Sequence, residues 1–189
     1  MNKPATNKPA MNTPSQPSSS LFGKLVDFAR RHIILVLTAK FVAGLVIGFG
    51  LGVYYLPILI ADAPAEQSLV LAEAESADRQ AMFVRDRKDS DGLHWGEGTL
   101  FLSENRVTLD GEVSPGPDYR IYLTPRFVET EKEFLAIKAN SVEIARVKGF
   151  KNFSYEIPAG IDNSAYQGVL IWCERFGQYI TSGPLKVSS

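Results

Sequence analysis

The sequence predicts an all-β fold, a small antiparallel β-sandwich or barrel-like domain, behind a single N-terminal transmembrane helix. Three observations carry this expectation. An uncharged apolar run fills Phe41–Ala61. Beyond residue 81, turn signals recur at short intervals: Asp91-Gly92, Asp110-Gly111, Pro115-Gly116-Pro117, Ala159-Gly160 and Ser182-Gly183-Pro184. Between those turns lie short runs with the period-2 alternation of strands. The 189 residues are room for one domain plus appendages.

The apolar run comes first. At about 1.5 Å of rise per residue it spans the ~30 Å hydrocarbon core of a bilayer. Backbone amides in lipid have no water to bond, so the run is expected to be helical. Lys3, Lys8, Lys24, Arg30, Arg31 and Lys40 precede it against one acid, Asp27. Asp62, Glu66, Glu73, Glu75 and Asp78 follow it before the first base, Arg79. The excess of bases before the span puts the N-terminus in the cytoplasm and the C-terminal domain in the periplasm or extracellular space. The expected site is therefore the cell inner membrane, crossed once. Tyr54 and Tyr55 suit an interfacial belt, and Lys40 can snorkel to the inner headgroups. A cleaved signal peptide is the rival reading: Ala61-Asp62-Ala63 has the small-x-small pattern, but Pro64 follows it and the apolar stretch is long for such a peptide. Gly44, Gly48 and Gly52 share one helix face, where small residues let two helices approach and form a homo-oligomer. Glycine is also common in membrane helices without any such role.

The flanks differ in texture. Residues 1–20 repeat Asn-Lys-Pro-Ala and continue in Pro, Ser, Thr and Gln, the composition of a disordered cytoplasmic tail. Within 21–40, Leu21, Phe22, Leu25, Val26 and Ala29 share a face opposite Lys24, Asp27, Arg30 and Arg31. Ser20 is the candidate cap. The segment is either a basic amphipathic helix on the inner leaflet or an early extension of the span. The span is placed at 41–61. Residues 62–80, rich in Ala and Glu, read as a solvated spacer, and 81–189 as the extracytoplasmic β domain.

Seven strands are expected in that domain. They are Thr99–Ser103, Arg106–Val113, Tyr119–Leu123, Val142–Ile144, Phe153–Ile157, Val169–Cys173 and Gln178–Thr181. Val169–Cys173 is apolar on both faces, as in a central strand. Residues 129–140 fit one helical turn or a long loop. Asp162 or Asn163 is the candidate cap of another turn ending at Tyr166.

Candidate chemistry is sparse. Bases and acids nearly balance, 20 against 21, and no basic stripe points to nucleic acid. Cys173 is the one cysteine, so neither an internal disulfide nor a Cys-x-x-Cys motif exists. It is either a small buried hydrophobe or a thiol kept for its reactivity in an oxidising compartment. Reactivity would need nearby positive charge, for which Arg175 is the sequence neighbour. His94 reads as a surface histidine. Its sharper role, meeting Cys173 as a ligand or base, is limited by stoichiometry, because a blue-copper centre takes two histidines with the cysteine. No metal is expected, and the cofactor stays unknown. Non-covalent haem is open but has no local support. Gly96-Glu97-Gly98 lacks the third glycine of a dinucleotide loop. Glu129, Glu131 and Glu133 read as a solvated face without calcium-loop spacing. A stand-alone enzyme is not indicated.

Gly116-Pro117-Asp118-Tyr119-Arg120-Ile121-Tyr122-Leu123 resembles the Gly-Pro-Asp strand of the DM-thirteen domain family. Val147-Lys148-Gly149, Tyr155–Asp162, Tyr166, Val169, Ile171-Trp172-Cys173 and Phe176 continue the family's order from about His94 to Leu185. Ser182-Gly183-Pro184 and Ala145 depart from its usual Gly-x-Ala and glycine. The resemblance implies a β-sandwich-like extracytoplasmic domain, found behind a membrane anchor in bacteria and beside DOMON domains in animal Skeletor-type proteins. It implies a thiol-based redox or electron-transfer role, with Cys173 as the redox centre and Trp172 packed beside it. Gly116, Pro117, Pro158, Gly160 and Asp162 would be turn residues. With no second cysteine, the redox partner would be another protein or a small molecule. The alternative is a binding or structural module of the cell envelope with Cys173 buried.

Overall fold

The computed structural model describes residues 21–188. The tail expected over 1–20 and the Ser20 cap lie outside them. The chain divides into two compact units, one up to Ile47 and one from Gly48.

α1 (Leu21–Arg31) runs into α2 (Ile33–Leu59), which begins in the first unit and ends in the second. The amides of His32 and Val36 donate to Phe28 and His32 carbonyls at 3.0 and 2.9 Å, so the helical bonding carries across the junction. The apolar residues Ile33–Leu37 start α2 well before Phe41, with Lys40 inside the helix. It is long and apolar enough to cross a membrane. Its last turn contains Pro57, and it ends at Leu59 rather than Ala61.

The second unit holds two antiparallel sheets. One has five strands in the order β6-β3-β2-β1-β9, formed by Ser154–Glu156, Arg106–Val113, Gly96–Leu102, Arg79–Phe83 and Lys186–Val187. The other has four in the order β5-β4-β7-β8, formed by Val142–Val147, Tyr119–Thr124, Gly168–Cys173 and Gln178–Pro184. Alternation turns Leu100, Leu102, Val107 and Leu109 of the first and Ile121, Leu123, Val169 and Ile171 of the second into one shared core. Burial of such side chains is the main stabilising term, ~1.5–3 kcal/mol each.

Two strands go beyond the seven expected. β1 buries only Ala81 and Phe83, and its polar residues Arg79 and Gln80 continue the texture of the preceding segment. β9 is two residues long and pairs only with β1.

The stretch read as a solvated spacer is instead packed on the domain. The Asp62 amide donates to the Lys148 carbonyl at 3.0 Å. In α3 (Gln67–Ser76) Val70 is fully buried, and the Glu73 carboxylate lies 3.4 Å from the Arg106 guanidinium. The helix has an apolar contact and an ion pair to hold it, which composition alone did not reveal.

The outer face of the four-stranded sheet carries a second core. The segment after β4 folds back as α4 (Glu131–Leu135) and a 3-10 turn at Lys138–Asn140. Thr130 caps α4 through the Glu133 amide. Phe134, Tyr122, Leu170, Trp172 and Tyr179 pack together beneath it. This cover explains why Val169–Cys173 is apolar on both faces.

Candidate functional site

Cys173 is the last residue of β7. Antiparallel registry sets it opposite Tyr119 on β4 and Gln178 on β8. Alternation along β7 turns it inward with Val169 and Ile171, whereas Trp172 faces outward under α4. The residue is 2% exposed. Burial pushes its thiol above the ordinary cysteine range, and the backbone amides of Phe176, Arg175 and Asp118 pull the other way. Two of the three come from the turn between β7 and β8, where Arg175 and Phe176 are exposed. The strand ends at Cys173, so Arg175 lies in the turn that follows and not on the strand face of Cys173.

Tyr119 closes the other side. Its hydroxyl donates to the Pro115 carbonyl at 3.2 Å, and its ring packs on Gly116, where no side chain would fit. Burial raises the phenol's pKa, opposed by a bond with Ser114, and the neighbouring Cys173 adds to the rise. A groove of about 880 Å³ has Arg175, Gly116 and Phe150 on its wall with Gly52, Leu56 and Pro57 of α2, but not Cys173.

His94 is placed elsewhere. Its Nδ1 lies 2.9 Å from Asp91 Oδ2, and the Asp91 carboxylate also accepts the Leu93 and His94 amides. The hydrogen bond with His94 holds the Asp91 carboxyl below its usual range. No hydrogen bond or ion pair joins His94 to Cys173 among the described residues. Nor does any cluster there of three or more His, Cys, Asp and Glu side chains suit a metal ion.

The turn residues do local work. Gly160 has φ +87°, a region that favours glycine. Asp162 accepts from the Ser164 amide at 3.0 Å and caps the 3-10 turn Asn163–Ala165. A side chain added at Gly44, Gly48 or Gly52 would meet nothing within 4 Å.

One cluster was not singled out from the sequence. On the outer face of the four-stranded sheet, the Tyr122 hydroxyl donates to Glu174 Oε1 at 2.5 Å, and Lys138 Nζ lies 2.7 Å from the same oxygen. The Lys138 ammonium stands 5.5–6.0 Å from the ring centroids of Trp172, Tyr122 and Phe134. Burial opposes ionisation of Glu174, but the bonds from Lys138 and Tyr122 prevail and hold its carboxyl below the usual range. Burial and the adjacent carboxylate push the Tyr122 phenol up. The available signal was Tyr122 on β4 facing the same way as Trp172 on β7.

A family model described as Electron transfer DM13 matches residues 88–185, just over half of the chain. No curated protein and no solved structure matches.

Proposed function

Because the chain belongs to the DM13 electron-transfer family, we propose that it is a membrane-tethered extracytoplasmic module whose redox chemistry runs through Cys173. In this reading α2 crosses the inner membrane once with the N-terminus in the cytoplasm, and its Gly44, Gly48 and Gly52 face pairs with a second membrane helix. The extracytoplasmic redox or binding partner is a further protein or small molecule.

The observation that carries the thiol's role is its position against the 174–177 turn. Cys173 is the last residue of its strand, and the turn that follows it directly carries the exposed Arg175 and Phe176. Opening the turn would bring Cys173 to solvent without unfolding the sheets, as local openings do in folded proteins. The thiolate can then attack an oxidant. With a peroxide, sulfur takes one oxygen to become sulfenic acid and hydroxide leaves. A partner thiol converts that acid to a mixed disulfide with loss of water.

A second reading has an observation of its own. At 2% exposure, with its thiol pKa raised by burial, Cys173 also fits a core position in a binding or structural module.

Trapping separates the two. The full chain in detergent micelles, treated with hydrogen peroxide and dimedone, is expected to carry the sulfenic-acid adduct at Cys173 by mass spectrometry. An adduct that forms only on the denatured chain favours the buried-core reading.

A further inference from the structure

The sulfur faces the inner core, so an electron route need not pass through it. On the opposite face of the same sheet lies the Tyr122, Glu174 and Lys138 cluster with its rings. Phe134 lies 5.2 Å from Tyr122 and 5.0 Å from Trp172, centroid to centroid. Trp172 is the residue before Cys173 and is 1% exposed, and Tyr122 is 7% exposed.

We propose that Tyr122 is a one-electron redox site whose proton is taken by Glu174. This rests on the electron-transfer reading and adds a residue to it. The oxidant is a high-potential metal centre on a partner protein, of haem or copper type. One electron leaves the Tyr122 phenol for that metal. In the same step the phenol O–H breaks and the proton bonds to Glu174 Oε1, giving a neutral tyrosyl radical and a neutral carboxylic acid. Return of one electron from a donor, and of the proton from Glu174, restores the phenol.

Three features fit this chemistry. A phenol that has lost an electron is strongly acidic, so a carboxylate at 2.5 Å accepts its proton without any group having to move. Leaving the charge on a buried ring would cost desolvation energy. The transfer places it instead on the Lys138–Glu174 pair, whose side chains are 31% and 28% exposed and so reach water. Finally, Tyr122 is set apart from the other buried phenols by its acceptor. Tyr119 donates to a backbone carbonyl and Tyr179 shares its bond with the Ser182 hydroxyl, while the half-buried Tyr155 accepts from the Lys148 and Gly149 amides.

The test uses the full chain in micelles with Tyr54→Phe and Tyr55→Phe, which remove the two exposed phenols of α2. Photogenerated tris(bipyridine)ruthenium(III) supplies the one-electron oxidant, and freeze-quench electron paramagnetic resonance counts tyrosyl radicals. Tyr122→Phe is expected to lower the yield about tenfold, and Glu174→Gln, which keeps size and hydrogen bonding but is not a base, by a similar factor. An unchanged yield in either variant overturns the proposal. That failure is distinct from failure of the thiol reading, which shows as absence of a dimedone adduct at Cys173 with the radical still formed.

Discussion

Replacing Trp172 with alanine is expected to destabilise the domain by about 3–5 kcal/mol, the usual range for an enclosed large aromatic side chain. Its indole is 1% exposed and lies 5.0 Å from the Phe134 ring, between the four-stranded sheet and α4. Truncation would leave a cavity that the sheet cannot close, because β7 is held on one side by β4 and on the other by β8. It would also strip the Lys138 ammonium of one of its rings. Chemical denaturation of the full chain in micelles measures the loss. A midpoint equal to that of the native protein would mean that the segment over the outer face does not pack as described.

The second large effect belongs to Gly98. It pairs in register with Gly111 on the neighbouring strand, and their φ values are +119° and +153°. A Cβ at Gly98 would overlap the Asp110 carbonyl oxygen and come within 2.6 Å of the Gly111 Cα. Nothing in this backbone contact can rotate away. Strained φ and overpacking together predict that Gly98→Ala costs about 2–5 kcal/mol. Gly92→Ala, where a Cβ would meet nothing within 4 Å, provides the reference, with a change within about 0.5 kcal/mol. Equal denaturation midpoints for the two variants would contradict the strand pairing.

Much of this architecture was legible in the residues. Strand alternation marked Arg106–Val113 at its observed bounds, and an Asx cap at Asp162 or Asn163 was visible because Asx residues take that place for a definite reason, the free amide two residues on; the structure puts it at Asp162. β1 was not legible. Only two of its residues face the core, and its neighbours match the composition of the helix before it. The docking of α3 was hidden for the same reason, since one buried valine and one ion pair do not stand out in an Ala- and Glu-rich run. A helix long and apolar enough to cross a membrane was plain from the uncharged stretch, but the start of α2 was not. Periodicity cannot distinguish an amphipathic approach from a continuous helix when apolar residues flank a single lysine.

The candidate site was half legible. Cys173 stood out as the one thiol, and its strand was recognisable. Its relation to the turn was not, because that depends on where β7 ends. Glu174, Lys138 and Tyr122 are far apart in sequence and meet only once the segment after β4 has folded back over the sheet. No spacing rule could have joined them.

The central claim is that Cys173 takes part in redox chemistry and is reached by opening of the 174–177 turn. The most direct measurement is the rate of alkylation of Cys173 by iodoacetamide across a urea series, with the full chain in micelles and the modification located by mass spectrometry. Local opening predicts that Cys173 is alkylated at urea concentrations well below the global unfolding transition, at a rate that varies little with denaturant. Alkylation that appears only with global unfolding would contradict that claim and leave Cys173 as part of the core.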